Sequence, residues 1–347
     1  MNAETLNYAV NKTVELLAID SPTGYTAGAE NYALRVFGDE LGFRTIHTNK
    51  GGVIVDFGGP ETEKGALMLA AHIDTLGAMV TEIKSNGRIR VTKVGGLCPS
   101  NTEAENCRVI TKFSGIYEGT LQLVNASVHV NGDYHTTVRT FDNVELVLDE
   151  PVSSKEDVEK LGISVGDFVC PDPRTRITSS GYIKSRFLDD KLSAGILMGL
   201  GKAIRDGEVK PTRHVYAYLT VYEEVGHGGS ASIPEGVTEM ISVDMGCVGE
   251  GLQCTERQVS ICAKDSGGPY SYDVTKGLIE AAKKAGADYA VDIYPFYGSD
   301  VEATLSAGYD IRHGLIGAGV YASHGYERSH KDGVLNTLKL LEAYVSD

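Results

Sequence analysis

Several features are missing from this 347-residue chain, and each absence removes a class of function. No stretch approaches the roughly 20 consecutive apolar residues that span a bilayer. No cluster of lysine or arginine occurs, and 47 acidic against 32 basic residues leave a formal net charge of -15. Nucleic acid and anionic membrane are therefore not expected as partners. The six cysteines, Cys98, Cys107, Cys170, Cys247, Cys254 and Cys262, lack the C-x-x-C spacing of a zinc clip or redox pair. Scattered thiols in a chain of this size fit a reducing compartment. The first ten residues carry Glu4 and polar side chains where a secretory signal needs a basic start and an apolar run, so a cytoplasmic protein is the expectation. There is no internal repeat and no low-complexity segment.

What remains is a globular composition, 42% hydrophobic and 23% charged, long enough for two domains. Helical spacing covers residues 4–19 and 29–41, the second ending at Gly42. Ala66 to Ala71 is a continuous apolar run that empties into His72-Ile73-Asp74, as a central strand would. From Val80 to about Val169 the character changes to short alternating segments, with turns expected at Asn86-Gly87 and Asn131-Gly132. Long elements then resume: a helix from Asp190 to about Arg205, strands over 214–222, 240–243, 259–263, 289–294 and 311–320, and a last helix over 333–344. The expected fold is α/β, a mixed central sheet with helices on both faces, interrupted by a small β-barrel-like domain. The boundaries are 1–77 and 174–347 for the main domain and 78–173 for the insertion.

Carboxylates and imidazoles collect at the ends of the apolar strands, where open α/β sheets build their sites. Asp189 and Asp190 stand between an apolar pair and an apolar helix, a placement too costly for two charges without a cation. A site for two metal ions needs an anion between them, and Asp189 is the bridging candidate; Asp190 is expected to pair or to cap the following helix, whose N-terminal dipole favours negative charge. Side chains two apart on an extended chain point the same way, so His72 can bind metal while Asp74 takes the proton of its other ring nitrogen. Alternation sends Glu223 and Glu224 in different directions, with Glu223 assigned as general base and Glu224 as ligand. Asp244 joins as a strand-end ligand. Three histidines compete for the last position, His313, His324 and His330; His324 follows its strand most directly, and His330 is the alternative.

In order along the chain, Ala71-His72-Ile73-Asp74, Leu188-Asp189-Asp190-Lys191, Glu223-Glu224-Val225-Gly226, Val243-Asp244, Gly298-Ser299-Asp300 and Ser323-His324 resemble the dinuclear-metal aminopeptidases of the glutamyl and deblocking type, also called tetrahedral or FrvX-like. The resemblance implies His72, Asp189, Glu224, Asp244 and His324 as ligands of two divalent ions, zinc or cobalt, with Asp189 bridging and Glu223 as base. It implies a β-rich insertion that takes part in a homo-oligomer, often of twelve subunits, and short peptides with a free N-terminus as substrates. The stretch Tyr321 to Arg328 departs from the family pattern, which has an Arg-Tyr pair before the histidine and a serine and a later glutamate after it. The function expected is hydrolysis of the N-terminal peptide bond through a water bridging two metals. A deacylase of N-acyl amino acids is the alternative and would need a cation such as Arg312 or Arg328 for the substrate carboxylate. An oligomeric scaffold with a structural metal is the third reading.

Overall fold

Ala66–His72 is buried at every position, and a strand buried on both faces belongs in the middle of a sheet. The computed structural model describes all residues, Met1–Asp347, and places this strand, β3, there. Before it come α1 (Ala3–Leu17), capped by the Asn2 side chain on the Thr5 amide, α2 (Ala27–Leu34), β1 (Arg44–His47) and β2 (Val53–Gly58). The single helix expected over 29–41 is α2 followed by a π-helical turn, Arg35–Glu40.

The chain divides into two units, residues 1–75 with 174–347, and residues 76–173. The sequence reading placed those junctions after 77 and 173. The second unit is a closed six-stranded barrel of β4 (Gly77–Ile83), β5 (Ile89–Val94), β6 (Asn106–Ile110), β7 (Ile116–Leu123), β8 (Val144–Leu148) and β9 (Phe168–Pro171), in the order β4-β5-β8-β7-β6-β9, with a short helix α3 (Lys155–Lys160). The hairpin at Asn86-Gly87 forms, with Gly87 at a φ of 78°. No hairpin forms at Asn131-Gly132: β7 ends at Leu123, pairs with β8, and the residues between run through turns.

The first unit continues with β10 (Arg176–Ile177), β11 (Tyr182–Ser185), α4 (Leu188–Arg205), β12 (Val215–Thr220), β13 (Val237–Val248), β14 (Val259–Lys264), α5 (Tyr272–Ala285), β15 (Tyr289–Ile293), α6 (Asp300–Ser306), β16 (Arg312–Tyr321), β17 (Glu327–His330) and α7 (Lys331–Val345). Its sheet runs β1-β2-β12-β3-β13-β16-β17-β11-β10, with β14 and β15 branching from β16. The central strands β12, β3, β13 and β16 are parallel neighbours, so their carboxyl ends gather on one edge. Helices cover both faces. Val301 of α6 packs with Met68, Ala70, Met240 and Leu315 on one face, while Val274 and Leu278 of α5 meet Gly314 and Ile241 on the other. The α4 helix is buried along almost its whole length, and at Gly199 a Cβ would come within 2.8 Å of the Ala9 methyl, so glycine lets α1 approach closely.

Candidate metal centre

His72 is the last residue of β3, and its register partner is Thr220 at the end of β12. The ring is 1% exposed. Nδ1 lies 2.9 Å from the Asp74 carbonyl oxygen and 3.6 Å from Asp74 Oδ1. The main-chain carbonyl, rather than the carboxylate expected from sequence, therefore takes the ring proton. Asp74 has already left the strand; its carboxylate accepts from Thr23 Oγ1 at 2.6 Å and from the Glu223 amide at 3.2 Å. It thereby ties the end of β3 to the residue after β12. With Nδ1 engaged, Nε2 is the free donor.

Nε2 faces Asp189 Oδ1 at 3.1 Å, and Asp189 Oδ2 faces His324 Nε2 at 3.5 Å. One carboxylate thus presents an oxygen to each of two histidines. His324 Nε2 is also 3.6 Å from Glu224 Oε2, and His72 Nε2 is 3.7 Å from Glu223 Oε2. Two donors each about 2.1 Å from a tetrahedral ion lie roughly 3.4 Å apart, so these spacings suit shared cations. Donor atoms of His72, Asp189 and Glu224, and of His72, Asp190 and Asp244, cluster within 4.8 Å of one another.

The buried polar atoms tell the same story. Glu224 Oε1 and Asp190 Oδ1 are buried without a hydrogen-bond partner, and a cation bound among these carboxylates would satisfy them. Burial, followed by repulsion among the acids, pushes the Glu223, Glu224 and Asp190 carboxyls well above their ordinary range and Asp244 up to about 7. Asp189 goes the other way: burial would raise it, but hydrogen bonds from His324 and His72 hold it well below the usual carboxylate range. The donor set therefore fits divalent cations, which would let all these groups ionise together.

Asp189 and Asp190 begin α4 but have non-helical backbone angles, so regular helix starts only after them. Asp190 Oδ2 accepts from the His72 amide at 3.2 Å, a pairing with the neighbouring strand. Asp244 is not at a strand end. The apolar pattern marks a strand only over residues 240–243, but β13 runs on to Val248 because it keeps pairing with β16, Asp244 opposite Gly317. Its partner on the other side, β3, stops first, and that leaves the Asp244 side chain beside the site.

His324 and His330 have different surroundings. His324 sits in a left-handed conformation at φ 61° between β16 and β17. His330 is buried as the capping residue of α7: its Nδ1 accepts from the Asp332 amide at 3.0 Å, and its Nε2 lies 2.8 Å from the Ser180 carbonyl. Both of its ring nitrogens are used, so the alternative ligand is set aside. His313 packs at a tilt beside Tyr270 and does not join the cluster.

Sequence reasoning passed over three supporting residues. Glu327, 2% exposed, accepts from the His324 amide at 2.9 Å and from the Asp189 amide at 3.1 Å. Lys50 Nζ donates to the carbonyls of His227 and Gly228 and to Ser230 Oγ, and Thr304 Oγ1 donates to the Gly229 carbonyl at 2.7 Å; together they pin the loop that follows Glu223 and Glu224. A glutamate three residues after a histidine is the only sequence signal for Glu327, and it lies in the stretch that departs from the family pattern. The site opens into a cavity of about 710 Å³ lined on its far wall by Phe296, Tyr297, Glu302 and Ala303.

Residues 51–340 match the M42 glutamyl aminopeptidase family. YhfE of Bacillus subtilis (strain 168), named as an aminopeptidase, is 44% identical over 341 residues, spanning 97% of this chain and 98% of that protein. The glutamyl aminopeptidase of Lactococcus lactis subsp. cremoris (strain MG1363) is 24% identical over 63% of this chain and 61% of its own length. Among solved structures, the Pyrococcus horikoshii TET1 peptidase, described as assembling into a tetrahedron or a large octahedral shell, superposes with a TM-score of 0.85 at 22% identity, covering 98% of this chain and 99% of that one. Matched to the family over most of its length and to one relative nearly end to end, the chain belongs to the M42 glutamyl aminopeptidase family of hydrolases.

Proposed function

We propose that this protein is a metal-dependent aminopeptidase that removes the N-terminal residue of short peptides, with two divalent ions, zinc or cobalt, held by His72, Asp189, Glu224, Asp244 and His324. The observation that carries the reading is Asp189, whose two oxygens address His72 and His324 separately. When bound, the ions supply Lewis acidity to the scissile carbonyl and bring the pKa of a water down to about 7.

The chain's own residues do the rest. Glu223 stands beside His72, with its amide fixed by Asp74, and acts as the general base that takes the water proton and passes it to the leaving amine. Asp74 is a positioning group: its carbonyl sets the His72 tautomer and its carboxylate sets the Glu223 backbone. The substrate's free amine lies against the surrounding carboxylates, which confines cleavage to the chain end. A deacylase would need a cation for the substrate carboxylate. Arg312 is engaged with Glu239, and Arg328 with Glu256 and the Tyr182 ring; neither lines the cavity.

By analogy with TET assemblies, the working form is a homo-oligomer, of up to twelve subunits, acting in the cytoplasm; light scattering of the purified protein reads the subunit number. No helix is long and apolar enough to cross a membrane. The test of function is hydrolysis of unblocked aminoacyl amides and peptides, beside their N-acetylated forms, with zinc or cobalt supplied. Turnover confined to free amines is expected, and Glu223→Gln should lower kcat about a hundred- to ten-thousandfold while retaining both ions. Turnover of acetylated substrates alone, or a Glu223→Gln variant with most of its activity, would refute the assignment.

A further inference from the structure

Not every ligand is anchored in the same way. His72 terminates a central strand whose ladder continues to Thr220; its amide is bonded to Asp190 and its ring to the Asp74 carbonyl. His324 belongs to a turn. Ala322 and His324 both have positive φ, 60° and 61°, the only register pair of β16 with β17 is Tyr321 with Arg328, and the imidazole is 42% exposed. A non-glycine residue in the left-handed region persists only when its surroundings hold it there.

Glu327 supplies a hold of that kind. It is the first residue of β17, and its carboxylate is buried with one oxygen on the His324 amide and the other on the Asp189 amide. A single rigid, planar group therefore sets the distance between the backbone of the turn histidine and that of the bridging carboxylate. No equivalent tie joins Glu327 to His72 or Asp244.

We propose that Glu327 is a positioning residue that acts unequally on the two cation positions: it governs chiefly the one served by His324 and Glu224, through both the turn histidine and Asp189, and reaches the one served by His72 and Asp244 through Asp189 alone. The proposal rests on the dinuclear reading above. In physical terms, the carboxylate pre-organises the weaker half of the site before the ion arrives. Without it, the ion has to order the turn itself, and most of the cost falls on that ion.

Glu327→Gln is the informative variant. The amide matches the carboxylate in size but offers one acceptor oxygen; its NH2 group would oppose the other backbone N–H, leaving a buried donor unsatisfied. Glu327→Ala removes both acceptors. The experiment titrates the stripped full-length protein with Co²⁺ by calorimetry and follows the visible cobalt spectrum, with bound metal per subunit measured after dialysis. Wild type is expected to take two ions per subunit. Both variants should take the second ion about 10- to 100-fold more weakly, the usual size of an outer-shell effect, and the first with a clearly smaller loss, since it feels Glu327 only through Asp189. Excess Co²⁺ should restore the activity of Glu327→Gln, a rescue that a merely structural defect would not show.

Equal weakening of both ions, unchanged binding of both, or a wild type that holds one ion would each overturn the proposal. If the alanine variant does not fold, the isosteric glutamine variant decides alone. A wild type that binds no metal would sink the dinuclear reading itself, an outcome distinct from two ions bound with no dependence on Glu327.

Discussion

Replacing His324 and His330 one at a time separates a ligand from a structural histidine that the sequence leaves as rivals. In His330→Ala the losses can be worked from the contacts. Removal of the acceptor for the Asp332 amide costs about 1 kcal/mol as a lost helix cap. The Ser180 carbonyl, on an exposed residue, exchanges its partner for water, a further ~0.5 to 1.5 kcal/mol. The edge-on contact with the Tyr182 ring, with centroids 4.8 Å apart, goes as well. Together these give about 2 to 4 kcal/mol. At roughly 2 to 4 °C per kcal/mol for a domain of this size, the melting temperature should fall by about 5 to 15 °C, with two ions per subunit retained. His324→Ala should behave differently: the stripped protein loses less stability than His330→Ala does, because the ring is 42% exposed and gives up only its charge contacts with Asp189 and Glu224, and one ion per subunit is lost. Differential scanning calorimetry of stripped protein, paired with metal analysis of loaded protein, reads both. A His330→Ala protein that loses an ion at unchanged stability, or a His324→Ala protein that keeps two, would refute the assignment.

Three further outcomes test the cavity and its loop. Glu302 is pushed up to about 8 by burial and by its hydrogen bond and charge contact with Asp265. It therefore binds its proton more tightly in the folded protein than in the unfolded chain, and stability falls as pH rises from about 4.5 to 8. Glu302→Gln should gain on wild type over that window in thermal melts, with no difference below it; a pH-independent offset would contradict the shared-proton picture. Because no lysine or arginine lines the cavity to pair with an acidic side chain, peptides beginning with Glu or Asp should be the slowest of an N-terminal panel. At Gly228 a Cβ would lie 2.0 Å from Asp300 Oδ1 and 3.0 Å from the Glu223 Cα. Gly228→Ala should therefore displace the base, lowering kcat by about tenfold or more with metal content intact, and unchanged kcat would show that the loop is not held as described.

The parts of this molecule that could be read from sequence are those where one local signal decides the outcome. The apolar run before His72 has only one stable place, the middle of a parallel sheet, and its position fixes where the other strand-end acids must converge. Short alternating segments between two α/β halves have few solutions besides a closed barrel. The readings that needed correction depend on partners far away in the chain. Asp244 lies inside β13 rather than at its end, since β16 extends the pairing on one side after β3 has stopped on the other. The ring proton of His72 goes to a carbonyl because the chain turns immediately after the strand and Thr23 and the Glu223 amide claim the Asp74 carboxylate. Side-chain alternation describes the strand and says nothing of the turn. Glu327 was the hardest to see: its two bonds are to backbone amides, which every residue carries, so no pairing of residue types marks it. A site of this kind is therefore legible in its donors, whose chemistry is written in side chains, and hidden in the groups that hold those donors by the main chain.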